Sequence, residues 1–188
     1  HLSIRRQRQM CIRDSYWKAS MAASLIAPLL VRESGRGDSG AACTYGLFRD
    51  CGMPVMLQKF PIYADIFDGS ALMPGEPVLE VENERYATNH ARIGAQLAYS
   101  WHLPETLCSA ILDHHDLLHV EEVRTQSDAA VVLLVAIGLA AEQLYCAASG
   151  TVCHEWALGG EWALAELELG QKTIDAIGAR VKASINLF

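Results

Sequence analysis

Apolar positions along this chain return every three to four residues, and nowhere do they alternate with a period of two. Side chains three and four apart share one face of a helix, so the pattern predicts an all-α domain built as a helical bundle. The first helix is predicted over "DSYWKASMAASLIAPLLVRE", capped by Asp14 or Ser15, with Trp17, Met21, Leu25 and Leu29 as its inner stripe. Pro28 is expected to bend it or shift its end. "SGRGDSG", 34–40, is a loop, and its Arg-Gly-Asp tripeptide reads as a plain turn. A second helix fits "AACTYGLFRDCGMPVML", with Cys43, Leu47 and Phe48 on one face and a break at Gly52 and Pro54 after Asp50.

"FPIYADIFDG" reads as a short helix ended by Gly69, and "SALMPGEPVLEVENE" as a Pro/Gly-rich connection. The next helix, "RYATNHARIGAQLAYSWH", places Ala87, Ile93, Leu97 and Trp101 near one stripe, and Gly94 permits close packing. "LPETLCSAILDHHD" starts at Pro104, where proline is tolerated, with Leu107, Ala110, Ile111 and His114 or His115 facing inward. Ser127 and Asp128 are candidate caps for a long apolar helix running to about Ser149. Its run from Ala129 to Ala141 is short for a bilayer and is closed by Glu142 and Gln143, so a buried helix is expected. Two final helices, "GGEWALAELELG" and "QKTIDAIGARVKASI", are divided by Gly170.

The start, "HLSIRRQRQMCIRD", is basic and carries no consistent apolar face; no apolar signal-peptide core follows it. Residues 1–14 are therefore read as an unstructured or non-native segment, and 15–188 as the domain. Its composition, 51% hydrophobic and 20% charged over 188 residues, suits one domain with a substantial core. The net charge of −7 argues against nucleic acid as a partner, and no membrane association is expected. None of the 6 cysteines forms a CxxC pair, which disfavours a zinc ribbon. Cys43, Cys108 and Cys146 read as small core residues in a reducing compartment such as the cytoplasm.

Candidate chemistry is concentrated in "SAILDHHDLLH", which holds His114, His115 and His119 beside Asp113 and Asp116. Neutral imidazoles and carboxylates hold divalent ions, and an ion so held can activate water toward phosphorus. The same histidines have a plainer reading: the C-terminal end of a helix favours cationic imidazole. His90 is equally compatible with a hydrogen-bonded, half-buried residue. His102, His119 and His154 read as surface or loop residues, and Trp17, Trp101, Trp156 and Trp162 as packing anchors.

Three stretches together resemble a known family. "NHARIGAQLAYSWHLPETLCSAILDHH" has a His, a Gly four residues on, Trp-x-Leu-Pro, and then a helix ending in His-His. This closely resembles the HDOD domain, a degenerate branch of the HD phosphohydrolase superfamily found in bacterial signalling proteins. "GLFRDCGMPVMLQ" resembles that family's Gly-Leu-x-His-Asp-x-Gly helix, and "YWKASMAAS" its aromatic-Trp-x-His-Ser helix start. The resemblance runs from about Tyr16 to about Ile185. It implies that these residues form the C-terminal part of such a domain. A further helical lobe would precede Tyr16, leaving exposed a face built to pack on it.

The departures bear on function. Ala19 stands where the resemblance implies the first ligand His, and Arg49 where it implies the His of the His-Asp pair. The family's ligating Asp would fall near Ile137. Asp50, His90, His114 and His115 remain. Arg49 is expected to pair with Asp50 or with a carboxylate near His114, supplying a positive charge in place of a metal. The resemblance thus implies a non-catalytic signal-transduction module with a vestigial site at Arg49, Asp50, His90, His114 and His115. No cofactor is expected, and the partner would be a protein, an attached signalling domain or a small ligand. The alternative is a divergent metal-dependent phosphohydrolase or phosphodiesterase using Asp50, His90, His114 and His115. A helical interaction domain unrelated to signalling is the third reading.

Overall fold

A computed structural model describes residues 2–60, 62–67, 77–116 and 129–184; these are helices and turns, with no strand among the described residues. The helices are α1 (Leu2–Ser34), α2 (Ser39–Phe48), α3 (Gly52–Lys59), α4 (Ala64–Phe67), α5 (Val78–Tyr86), α6 (His90–Ser100), α7 (Glu105–Asp113), α8 (Ala129–Ser149), α9 (Trp156–Leu167) and α10 (Gln171–Ser184). The all-α reading therefore holds. So do the start of α7 at Pro104 and the end of α8 at Ser149, while the loop read over 34–40 narrows to 35–38 between α1 and α2. Ser127, Asp128 and His119 lie outside the described residues.

α8 is the hub. It is long and apolar enough to cross a membrane by length and composition, yet it packs against α1, α2, α7, α9 and α10. Val131, Val132, Leu134 to Ala141 and Leu144 are buried on it. A helix apolar all round is stable in water only where neighbours cover it. A second, smaller cluster joins Ile12, Met56, Leu57, Tyr63, Ala64, Ile66 and Val81 beneath α3, α4 and α5. His90 begins α6 and Asp50 sits in the α2–α3 turn.

Local chemistry sets the boundaries. The Asp38 side chain accepts the Ala41 N–H at 2.7 Å and starts α2. Asn89 does the same for α6, accepting the Arg92 N–H at 2.8 Å. α3 and α6 cross closely enough that a Cβ on Gly52 would stand 2.0 Å from the His90 carbonyl oxygen and 2.8 Å from the Gly94 nitrogen.

Four expectations are corrected. α1 runs unbroken from Leu2, and Ile12 is buried in the second cluster, so residues 2–14 are helical rather than unstructured. The stripe Trp17, Met21 and Leu25 is exposed at 53%, 50% and 47%; α1 instead buries Tyr16, Ile26, Ala27 and Leu30. Two apolar stripes share this helix, and spacing alone does not say which one finds neighbours. Residues 78–86, read as connection, form α5, and Ala87 ends it in the left-handed region at φ 55° instead of opening the next helix. Trp101 is half exposed and meets Phe48 edge-on, whereas Trp156 and Trp162 pack partly on the main core.

The α3–α6 crossing is testable. Gly52→Ala is expected to cost about 1–3 kcal/mol or more, read as a lowered urea midpoint at unchanged slope. Gly170→Ala, whose Cβ meets nothing within 4 Å, is expected to stay within about 0.5 kcal/mol of the parent. Equal effects of the two would refute the tight crossing.

Candidate functional site

The five residues singled out from the sequence converge. Asp50 projects from the α2–α3 turn, His90 from the first position of α6, and His114 and His115 from the end of α7. One potential ligand atom from each of Asp50, His90, His114 and His115 lies within 4.8 Å of the others. His90 and His114 are buried, His115 is 10% exposed at its side chain, and Asp50 is 28% exposed.

The outer contacts explain how the rings are aimed. His90 Nδ1 lies 2.8 Å and 2.9 Å from the two oxygens of Glu82. His114 Nδ1 lies 2.7 Å from the Ile111 carbonyl, and His115 Nδ1 is hydrogen-bonded to Glu155 Oε1. Burial is the largest single influence and works to raise the Glu82 carboxyl, but the His90 ring, the Tyr63 hydroxyl and the His90 backbone N–H together outweigh it and leave it lowered. Burial likewise opposes the charge on Glu155, and the adjacent His115 holds it down at about 2. Both are therefore ionised acceptors, and a carbonyl only accepts, so all three Nδ1 atoms donate. When the rings are neutral, each Nε2 then presents a lone pair to the centre.

Those lone pairs face one another. His90 Nε2 and His115 Nε2 are 2.9 Å apart, and Asp50 Oδ1 is 3.2 Å from His114 Nε2 and 3.7 Å from His90 Nε2. Asp50 Oδ1 and His114 Nε2 are buried without a hydrogen-bond partner. Such a centre is short of positive charge. A shared proton or a cation between the acceptors supplies it. The donor set, three imidazoles and one carboxylate with each imidazole oriented from behind, fits one divalent ion of the zinc, iron or manganese kind.

Arg49 stands at one side of this centre. Its Nη2 is 2.7 Å from Glu142 Oε2, its Nη1 donates to the Gly138 carbonyl at 3.1 Å, and its Nε is 3.5 Å from Asp50 Oδ2. The pairing with Asp50 matches the sequence reading; the closer partner, Glu142, was not foreseen. Burial works against the Arg49 charge, but Glu142 and then Asp50 override it and hold the guanidinium firmly protonated. Burial also opposes ionisation of Asp50, and Arg49 and His114 override it, keeping the carboxyl well below its usual range.

Reasoning from sequence missed Glu82, Glu142 and Glu155. Glu82 has no exposure at all and accepts from Tyr63 Oη at 2.6 Å and from the His90 backbone N–H at 2.8 Å. The available signals were slight: Glu142 closes the apolar run of α8, and Glu82 follows Pro77 in a glutamate-rich segment. Ile137 is a fully buried core residue, and α8 reaches the site through Gly138 and Glu142. Gly138 leaves room there for Tyr45, whose Cε1 would stand 2.6 Å from a Cβ. His102 and His154 are exposed, as the sequence suggested.

The HDOD domain family model matches residues 3–117. No curated protein matches the chain. Among solved structures, the MmoQ response regulator from Methylococcus capsulatus str. Bath superposes with a TM-score of 0.62 at 18% identity over 90% of this chain. An HDOD domain protein of unknown function from Geobacter sulfurreducens superposes with 0.66 at 22% identity over 93%. The chain spans 61% and 62% of the length of these two.

Burial and then the neighbouring His115 push the His114 pKa from 6.5 down to about 3. Unfolding frees this ring to take up a proton, so His114 weakens the fold as pH falls from 6.5 toward 3. In chelator, urea midpoints of the parent are expected to drop between pH 6.5 and pH 4.5, and those of His114→Asn to drop less. Parallel curves would contradict the assignment.

Proposed function

The chain belongs to the HDOD domain family, and from that premise we propose that it is a signal-transduction module whose degenerate HD site holds a single divalent ion without hydrolysing phosphate esters. The observation that carries this is the converging set of Asp50 Oδ1 and three imidazole Nε2 atoms, each ring aimed from behind by an acceptor. An ion held there would join the α2–α3 turn to α6 and α7. It would also offset a surplus of negative charge, because four carboxylates, Asp50, Glu82, Glu142 and Glu155, share the site with one guanidinium.

Two features weigh against hydrolysis. Arg49 takes the place that the family resemblance gives to a metal-ligating His, and a buried, fully charged guanidinium there opposes a second cation. Asp50, Glu142 and Glu155 are the partly exposed groups around the centre, at 28%, 35% and 27%, and an acidic approach repels phosphate anions. The signalling role draws support from the family and from the response regulator among the similar folds. Its output would pass to a protein partner or an attached domain in a bacterial cytoplasm.

A second reading, metal-dependent phosphohydrolase, is favoured by the same ligand set. Metal analysis and an assay on the full chain separate the two. About one equivalent of manganese, iron or zinc is expected to survive dialysis and to be lost in His90→Ala. Manganese is expected to raise the melting temperature of the parent only. The loaded protein is expected to leave a phosphodiester such as bis(p-nitrophenyl) phosphate intact. Turnover that vanishes with the ion in His90→Ala would establish the hydrolase reading. A parent that neither retains nor is stabilised by any of these ions would remove the ion.

A further inference from the structure

α8 ends at Ser149, the chain reverses through Gly150 at φ 75°, and α9 starts at Trp156. Where α9 meets the first residue of α10 there is a cleft of about 310 Å³. Its lining includes Trp156, Leu158, Gly160, Glu161, Leu164 and Gln171, none of which belongs to the candidate metal centre. The volume lies at the lower end of the range for ligand sites.

A glycine fixes the aromatic wall. A Cβ on Gly160 would stand 2.7 Å and 2.8 Å from Trp156 Cε2 and Cδ2, the two atoms shared by the indole rings. An approach in the ring plane would meet rim atoms first, so one indole face covers Gly160 and the other turns away from the α9 backbone. Glu161 is exposed and has no ion-pair partner among the described residues, whereas Glu142, Glu155 and Glu168 are held by Arg49, His115 and Arg36. Gln171 donates its amide N–H to Asp175 Oδ1 at 2.8 Å, and its amide oxygen remains an acceptor. Leu158 stands 86% exposed beside them.

The cleft therefore offers an aromatic ring, a carboxylate and an amide oxygen, and no cation. No lysine or arginine stands between Arg124 and Lys172, and Lys172 does not line the cleft. Such a lining attracts a cation that can donate hydrogen bonds and lie against the indole. A bare divalent ion would need more oxygen ligands than these and would gain nothing from Leu158. A charge carried on an apolar stem uses every part of the lining, and lysine and arginine side chains have that form. We propose that this cleft binds a lysine or arginine side chain from a basic segment of a protein partner, with an apolar neighbour of that side chain resting on Leu158. The choice of a protein partner rests on the signalling reading. Glu155, held by His115, directly precedes Trp156, so a partner seated here touches the segment that orients one ring of the centre.

The test follows the Trp156 indole N–H and the Gly160 amide of the isotope-labelled full chain in chelator. The probe is the capped peptide Gly-Leu-Lys-Leu-Lys-Gly, and the control replaces both lysines by glutamine. The lysine peptide is expected to move both resonances saturably and the control to leave them in place. Glu161→Gln, at an exposed position, is expected to weaken binding about fivefold. Trp156→Ala, followed at Gly160, is expected to weaken it by a similar factor. Unmoved resonances, equal shifts with the glutamine peptide, or undiminished binding to Glu161→Gln would each overturn the cleft as a cation site. Equal affinity for capped lysine alone would overturn the choice of a peptide. Chelator keeps metal out throughout, so failure of the ion-binding reading would leave this result intact.

Discussion

A carboxylate can be held inside a helical bundle only if something positive or hydrogen-donating meets it there. Glu82, with no exposure to solvent, sets that condition for this protein. It accepts from Tyr63, from the His90 backbone and from the His90 ring, and so takes hold of the N-terminal end of α6, where unpaired N–H groups already favour an anion. The contact places α4, α5 and α6 relative to one another and sets which nitrogen of His90 looks inward. Removing one member of such a buried pair typically costs ~3–5 kcal/mol. The first consequence of the constraint is therefore the fold, and the second is the direction of a ligand.

The same condition governs the opposite wall. Arg49 ends α2 and would be an uncompensated buried charge but for Glu142 on α8 and Asp50 next to it. Its reach to the Gly138 carbonyl lies along a stretch of α8 where a glycine also admits the Tyr45 ring. Because Glu142 neutralises the guanidinium, Asp50 keeps one oxygen turned toward the histidines with nothing to accept from. Arg49 thus occupies one side of the centre and leaves Asp50 Oδ1 and His114 Nε2 buried beside it without a hydrogen-bond partner.

The inner residues were legible in the sequence because motif and helix spacing coincide on them. His114 and His115 stand at the end of α7 with Leu107, Ala110 and Ile111 on the same buried side, and Gly94 marks the crossing that brings His90 to them. The outer residues were not. Glutamate is common on solvent-facing helix surfaces, and nothing local separates Glu82 from Glu80 or Glu84; burial of Val81 in the second cluster does, and that is a tertiary fact. α1 failed for the converse reason. Trp17, Met21 and Leu25 form as good a stripe as Ile26, Ala27 and Leu30, and the choice between them depends on where α2 and α8 lie. Within helices, periodicity reports amphipathicity, and only packing assigns the faces.

The division of the site between segments bears on how it transmits change. The four potential ligands belong to the α2–α3 turn, α6 and α7, whereas Glu142 and Glu155 belong to α8 and the approach to α9. Whatever displaces the α8–α9 reversal changes the charge balance of the centre without touching a ligand directly. Whatever fills the centre alters the demand on Glu155 and Glu142, and so on the α8–α9 reversal. Coupling of this kind is reciprocal by necessity, since each state change alters the free energy of the other by the same amount. The arrangement of buried charge in this bundle therefore ties the centre to a segment that contributes no ligand to it.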